Sequence, residues 1–347
     1  MDALLKLPIF KFRLYFRAQE TIHLPDYPGA TFRGAFGQTF CREICLLPRQ
    51  ECEPVCPLGN RCPYQYIFKT PNDGDLEWFD QSTPTAPRPY LITPTPNTPT
   101  AFRRDDIFTF DLTLVGTSVN YVTYLVYVFE RMGQVKGIGK NLKNQHGRCR
   151  LEQVFFLEGN KPSRVVYENE TINLQSIRQN KSGETVYNAP PGDMLRLCFL
   201  TPTRITHQKR PYELSNKMPL TFEALIRNLY RRAYLLNYFH HNCGDELLGL
   251  PTPDDIDVPD NIAVVHNKLK WMDWQRRPTG RKKVNTNGGF TGSITFSGNW
   301  RRFYPLLKFG EELHVGGMTT FGMGKYVIAA PPGNESPGLR SVGSAGE

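Results

Sequence analysis

From Phe10 to Arg17 the chain alternates strictly, with Phe10, Phe12, Leu14 and Phe16 on one side and Lys11, Arg13, Tyr15 and Arg17 on the other. A period of two is a half-buried β-strand, here with a basic, partly aromatic outer face. After the turn residues Pro25 to Gly29, Thr31 to Leu46 reads as a helix, with Thr31 as N-cap and Phe32, Ala35, Phe36 and Phe40 as its apolar positions. Strands are expected at Pro89 to Ile92 and Phe108 to Val115, a helix at Val119 to Met132, and a closing strand at Arg150 to Leu157. Strand, helix, two strands, helix, strand is the order of a ferredoxin-like domain.

A second copy is suggested downstream by a strand at Met194 to Leu200, a long helix at Thr221 to Phe239, a strand at Phe290 to Ser297, a helix at Trp300 to Leu307 and a strand at Tyr326 to Ala329. The duplication rests on element order alone, since the halves share no significant identity. The expected fold is α+β, two tandem ferredoxin-like (RRM-like) domains with a cysteine-rich metal knuckle inserted in the first. The expected boundaries are a first domain over 1–158 with its insertion at about 41–70, a linker over 159–191, a second domain over 192–330 and a disordered tail over 331–347.

Charge narrows the partners. Across 347 residues, 42 Lys and Arg exceed 33 Asp and Glu by a net +9, which favours a polyanion, with nucleic acid the leading candidate. Lys268 to Lys283 concentrates that charge: Lys268, Lys270, Arg276, Arg277, Arg281, Lys282 and Lys283 stand against a single Asp, with Trp271 and Trp274 between them. Cations there can neutralise phosphates and indoles can stack on unpaired bases, or the tryptophans can anchor a solvated hairpin to the core. The N-terminus has no uninterrupted apolar run and no later stretch reaches the roughly 18 residues a membrane span needs, so a cytoplasmic protein is expected.

Five of the eight cysteines fall between Cys41 and Cys62. Without a secretory signal, a metal site is expected rather than a disulfide framework. Cys45, Cys52, Cys56 and Cys62 have a spacing that lets one short loop place four thiolates around a tetrahedral ion. Structural zinc fits that set; an iron–sulfur cluster uses the same ligands, and buried reduced thiols are the alternative to both.

The segment from His314 through Gly316, Gly317, Gly322, Gly324 and Lys325 to Tyr326 is the most specific in the chain. Glycines let backbone N–H groups approach a phosphate, and this run precedes a strand rather than the helix of a dinucleotide or P-loop site. Its HVG start and TFGMGKY end, together with the preceding GGFTGSITFSGNW and LLKFGEELH and the N-terminal TFRGAFG and CPYQYIF blocks, resemble the CRISPR-associated Cas6 endoribonucleases of the repeat-associated RNA-processing superfamily. The resemblance covers much of the chain. It implies paired ferredoxin-like domains, binding of CRISPR repeat RNA, no catalytic metal, and cleavage to a 2′,3′-cyclic phosphate and a 5′-hydroxyl. It also admits a catalytically silent RNA-binding subunit of a CRISPR effector, and other effector subunits as partners.

Such cleavage needs a base, an acid and positive charge at the phosphate. Members of that family often carry a histidine near the first strand and helix. His23 lies in this connection, with Tyr27 and Arg33 close in sequence as hydrogen-bonding partner and phosphate clamp, although no local family motif falls on His23. His207, among Arg204, Lys209 and Arg210, and His314 compete with it. His240 and His241 end an apolar helix and read as core or capping residues, and His146 and His266 have no special context.

Overall fold

The structure, a computed structural model, describes residues 1–46, 56, 58–79, 85–178, 187–190, 192–207, 210–212, 220–241, 245–276 and 285–330. The opening alternation forms β1 (Ile9–Ala18), with Phe12, Leu14 and Phe16 buried. In α1 (Gly29–Ile44), Phe32, Phe36 and Phe40 recur every fourth residue as one buried stripe. The helix starts at Gly29 instead of after Thr31, with Pro28 in the cap position and no side-chain capping bond. β2 (Tyr90–Pro94), β3 (Ile107–Val115), α2 (Val122–Arg131) and β4 (Cys149–Glu158) complete the unit.

The strands lie in the order β2-β3-β1-β4, every neighbour antiparallel. That is the ferredoxin-like order. Its core is aromatic: Phe32 stacks on Phe110 with centroids 4.7 Å apart, Phe36 on Phe129 at 4.8 Å and Phe16 on Phe110 at 5.3 Å. Each such pair adds about 0.5–1.5 kcal/mol beyond area burial.

The expected linker over 159–191 is corrected in part. A turn with Gly159 at φ +60° sends β5 (Lys161–Glu168) back along β4, and β6 (Thr171–Ile172) pairs with β5, so the first sheet has six strands. Val166 and Tyr167 of β5 are buried, while the polar start of the strand, Lys161 to Arg164, disguises it in sequence.

The second unit contains β7 (Met194–Thr203), α3 (Phe222–His240), β8 (Ala263–Arg276), β9 (Asn285–Ser297), α4 (Tyr304–Leu313) and β10 (Tyr326–Ala329). Its order, β8-β9-β7-β10, repeats the first. Thr221 caps α3, its side-chain oxygen accepting the Ala224 N–H at 3.1 Å. β8 was hidden in the sequence by polarity: it is an edge strand, bulged between Val264 and His266, with exposed Lys268 and Lys270 alternating with inward Leu269 and Trp271. α4 starts later than expected because Trp300 is buried ahead of it, its indole N–H donating to Asp193 O at 2.9 Å.

The two cores interlock. Leu4 and Leu7, ahead of β1, pack with Leu91 and Val115 into the second core, and Asn237 on α3 donates to Leu4 O at 3.0 Å. At the end of α3, the His240 ring donates through Nε2 to Pro87 O at 2.7 Å and accepts from the Tyr66 hydroxyl at 3.1 Å. Burial draws its pKa down to about 4, so it is a neutral core group. No helix among the described residues is long and apolar enough to cross a membrane.

Candidate nucleic-acid interface

Three of the site residues inferred from sequence meet where α1 faces the glycine-rich turn after α4. The hydroxyl of buried Tyr27 donates to Phe321 O at 2.8 Å, and burial raises its pKa well above the phenol's usual value. Gly29 starts α1 there because a Cβ would lie 1.9 Å from Phe321 O. The Arg33 guanidinium sits 4.5 Å from the Phe68 ring centroid and 4.6 Å from that of Phe321, a cation–π sandwich between the domains. Gly322, at φ +79°, presses against β2, where a Cβ would stand 2.7 Å from Ile92 O. Tyr27 and Arg33 therefore latch the two domains.

The turn's other glycines are also spent on packing. A Cβ at Gly316 would lie 2.2 Å from Arg204 O and one at Gly324 2.0 Å from Val315 O. Gly317 has more room, but its N–H donates to Arg204 O at 2.8 Å. At Gly316, Gly322 and Gly324 protein backbone fills the space their missing side chains leave. His314 is buried, and its Nδ1–H donates to Met323 O at 2.9 Å. Burial and the neighbouring Lys325 charge hold its pKa well below the usual value, so it orients the turn as a neutral ring. Lys325 is itself largely buried, and desolvation lowers its pKa against the pull of Asp111.

The basic outer face of β1 is largely neutralised. Lys11 pairs with Glu312 of α4 at 2.6 Å, Arg13 forks onto Asp111 at 2.7 and 3.0 Å, and Arg17 forks onto Glu152 at 2.6 and 2.9 Å. On β8, Lys268 and Lys270 are exposed to solvent. Trp271 N–H donates to Asp273 on the same strand at 2.7 Å, while Trp274 is buried and packs on Tyr27 and Phe321 with centroids 5.4 and 6.3 Å away. β8 ends at Arg276, whose side chain lies outside the described residues, as do Arg277, Arg281, Lys282 and Lys283.

His23 stands apart from this latch. It is exposed, and it exchanges both backbone hydrogen bonds with Lys140, His23 N–H to Lys140 O at 2.7 Å and Lys140 N–H to His23 O at 2.9 Å. Directly opposed residues of a strand pair present neighbouring side chains. Lys140, likewise exposed, is thus the cation next to His23, a partner that sequence separation concealed. The backbone of His207 forms a short bridge with Arg210, but its side chain lies outside the described residues.

Cys56 and Cys62 are buried in the first core, with Cys41 and Cys45 packed against it. Cys52 lies outside the described residues, and among the described residues no group of three His, Cys, Asp or Glu ligands forms a metal site.

Residues 197–326 match the family CRISPR-associated endoribonuclease Cas6, and residues 7–182 match AF_1859_N, described as an N-terminal domain. An uncharacterised protein of Archaeoglobus fulgidus is 22% identical over 331 residues, covering 94% of this chain and 99% of its own. Among solved structures, a partial Cas6-RT-Cas1–Cas2 complex aligns with 96% of this chain at 15% identity and TM-score 0.49. The present chain spans 49% of that polypeptide. The Cas6 of Thermus thermophilus aligns over 93% of this chain and 99% of its own at 18% identity and TM-score 0.45.

Proposed function

We propose that this chain, whose residues 197–326 match the CRISPR-associated endoribonuclease Cas6 family and whose residues 7–182 match the AF_1859_N domain family, is a Cas6-type endoribonuclease that binds CRISPR repeat RNA and cuts the precursor to release guide RNAs. The match over 197–326 carries this reading. In the proposed reaction the 2′-oxygen attacks the adjacent phosphorus as the P–O5′ bond breaks, leaving a 2′,3′-cyclic phosphate and a 5′-hydroxyl. His23 takes the 2′-hydroxyl proton and Lys140 sits against the phosphate oxygens, because this exposed pair combines a titratable nitrogen with a neighbouring cation. A second group then protonates the leaving oxygen. Exposed Lys268 and Lys270, with the basic stretch beyond Arg276, hold the RNA backbone through phosphate neutralisation.

Incubating the protein with its cognate repeat RNA, with and without chelator, tests the proposal. Cutting at one position to cyclic-phosphate and 5′-hydroxyl ends in both conditions is the expected result. The engagement of Tyr27, Arg33 and His314 in packing favours one other reading, a silent RNA-binding subunit, for which the RNA would bind tightly and stay intact.

The cysteine segment is proposed to hold a structural metal. The soft thiolates of Cys45, Cys52, Cys56 and Cys62 suit zinc, with no part in the chemistry. Anaerobically purified protein is expected to contain about one zinc per chain, lost together with stability in Cys56→Ser/Cys62→Ser. Iron with sulfide would reassign the metal, and the absence of stoichiometric metal would remove it.

A further inference from the structure

The loop after α2 folds back on the segment that carries His23. Ile138 pairs with Gly147, and Asn141 Oδ1 accepts the N–H groups of Lys143 and Gln145 at 3.0 Å each. The His146 ring donates to Gly139 O at 3.0 Å. These bonds hold the loop in shape, yet Leu142 at its tip is 81% exposed. Between this loop and the turns bearing Glu20 and Arg104 lies an open cleft of about 730 Å³, inside the roughly 300–1,000 Å³ typical of small-ligand sites.

The cleft is positive. Arg104, Lys136, Lys143 and Arg148 line it, and none of them forms an ion pair among the described residues. Glu20, the one carboxylate in the lining, is occupied within the protein: one oxygen accepts Arg148 N–H at 2.8 Å and the other accepts the Asn141 amide at 3.2 Å. Thr21 also lines the cleft. Ile22, the next residue, is buried, so Thr21 and His23 project on the same outward side of the extended chain. The cleft therefore opens beside the proposed reacting residue.

We infer that this cleft is a second RNA subsite, which takes unpaired nucleotides flanking the scissile phosphate. The four cations meet the phosphates, and the Leu142 side chain and His146 ring meet base faces. A rigid loop that presents an apolar tip among cations suits splayed bases, whose faces a duplex would hide. The inference rests on the proposed cleavage at His23.

The test uses the full chain and Arg104→Glu/Lys143→Glu, which alters two exposed rim cations outside the proposed reacting pair. Affinity is measured across a salt series for two RNAs: the cognate repeat with single-stranded flanks, and the same repeat trimmed close to the cut. For the flanked RNA the variant is expected to lose about 10- to 100-fold in affinity, and its salt slope to shrink by about 1.4, two phosphates at about 0.7 each. For the trimmed RNA, affinity should match the parent protein. A photoreactive side chain replacing Leu142 should crosslink to flank nucleotides. Unchanged affinity for the flanked RNA, equal losses for both RNAs, or crosslinks elsewhere would each overturn the subsite. Parent protein that leaves both RNAs uncut would instead sink the cleavage reading, which the binding and crosslinking results distinguish from failure of the subsite.

Discussion

A repeat RNA with 2′-deoxyribose on the nucleotide 5′ of the scissile phosphate is expected to bind like the parent RNA and to resist cleavage entirely. The nucleophile in the proposed reaction belongs to the RNA, so removing one oxygen removes the bond-forming step and leaves every protein contact to phosphate in place. His23→Ala tests the protein's share of the same step. Single-turnover cleavage should slow by roughly 10²- to 10⁴-fold, the usual contribution of a positioned acid or base, with affinity little changed. His314→Ala is a useful contrast, because a buried neutral ring bonded to Met323 O supports the turn and should register mainly as lost stability. His207→Ala completes the set. A collapsed rate in His207→Ala with a normal rate in His23→Ala would move the reacting group to the second domain. Cleavage of the deoxy RNA would be more damaging, since it eliminates the cyclic-phosphate route altogether.

Gly29→Ala is expected to destabilise the protein by about 1–3 kcal/mol or more, although alanine is normally the better helix residue. The new methyl would lie 1.9 Å from Phe321 O, and backbone on both sides leaves no flexible side chain to yield. Separating α1 from the turn would also strand the Tyr27 hydroxyl and open the Arg33 sandwich. Tyr27→Phe should cost less, about 0.5–1.5 kcal/mol for the hydrogen bond to Phe321 O that it removes. Gly34→Ala, on the same helix with nothing within 4 Å of its added Cβ, should stabilise by up to about 1 kcal/mol. Urea unfolding of the three variants measures the contrast. If Gly29→Ala proves as stable as Gly34→Ala, α1 does not rest on the 319–321 turn.

The sequence by itself determined the local elements wherever the apolar period was clean. The alternation from Phe10 to Phe16 could only be a half-buried strand, the four-residue recurrence of Phe32, Phe36 and Phe40 only one face of a helix, and their order the ferredoxin-like unit. Elements with weak contrast escaped: β8, whose exposed lysines dilute its apolar face, and β5, whose polar start resembles a linker. What each polar group does was decided by tertiary structure alone. Tyr27 and Arg33 lie near His23 in sequence, yet they are drawn to Phe321, nearly three hundred residues away: the hydroxyl leaving water finds its acceptor on the second domain, and the guanidinium lies between Phe68 of the first domain and Phe321 of the second. Conversely, Lys140 reaches His23 only because a glycine-bearing loop folds back through backbone bonds. Hydrophobic periodicity is a local property carried by neighbouring residues, whereas the satisfaction of charge and hydrogen bonds depends on which distant surfaces meet.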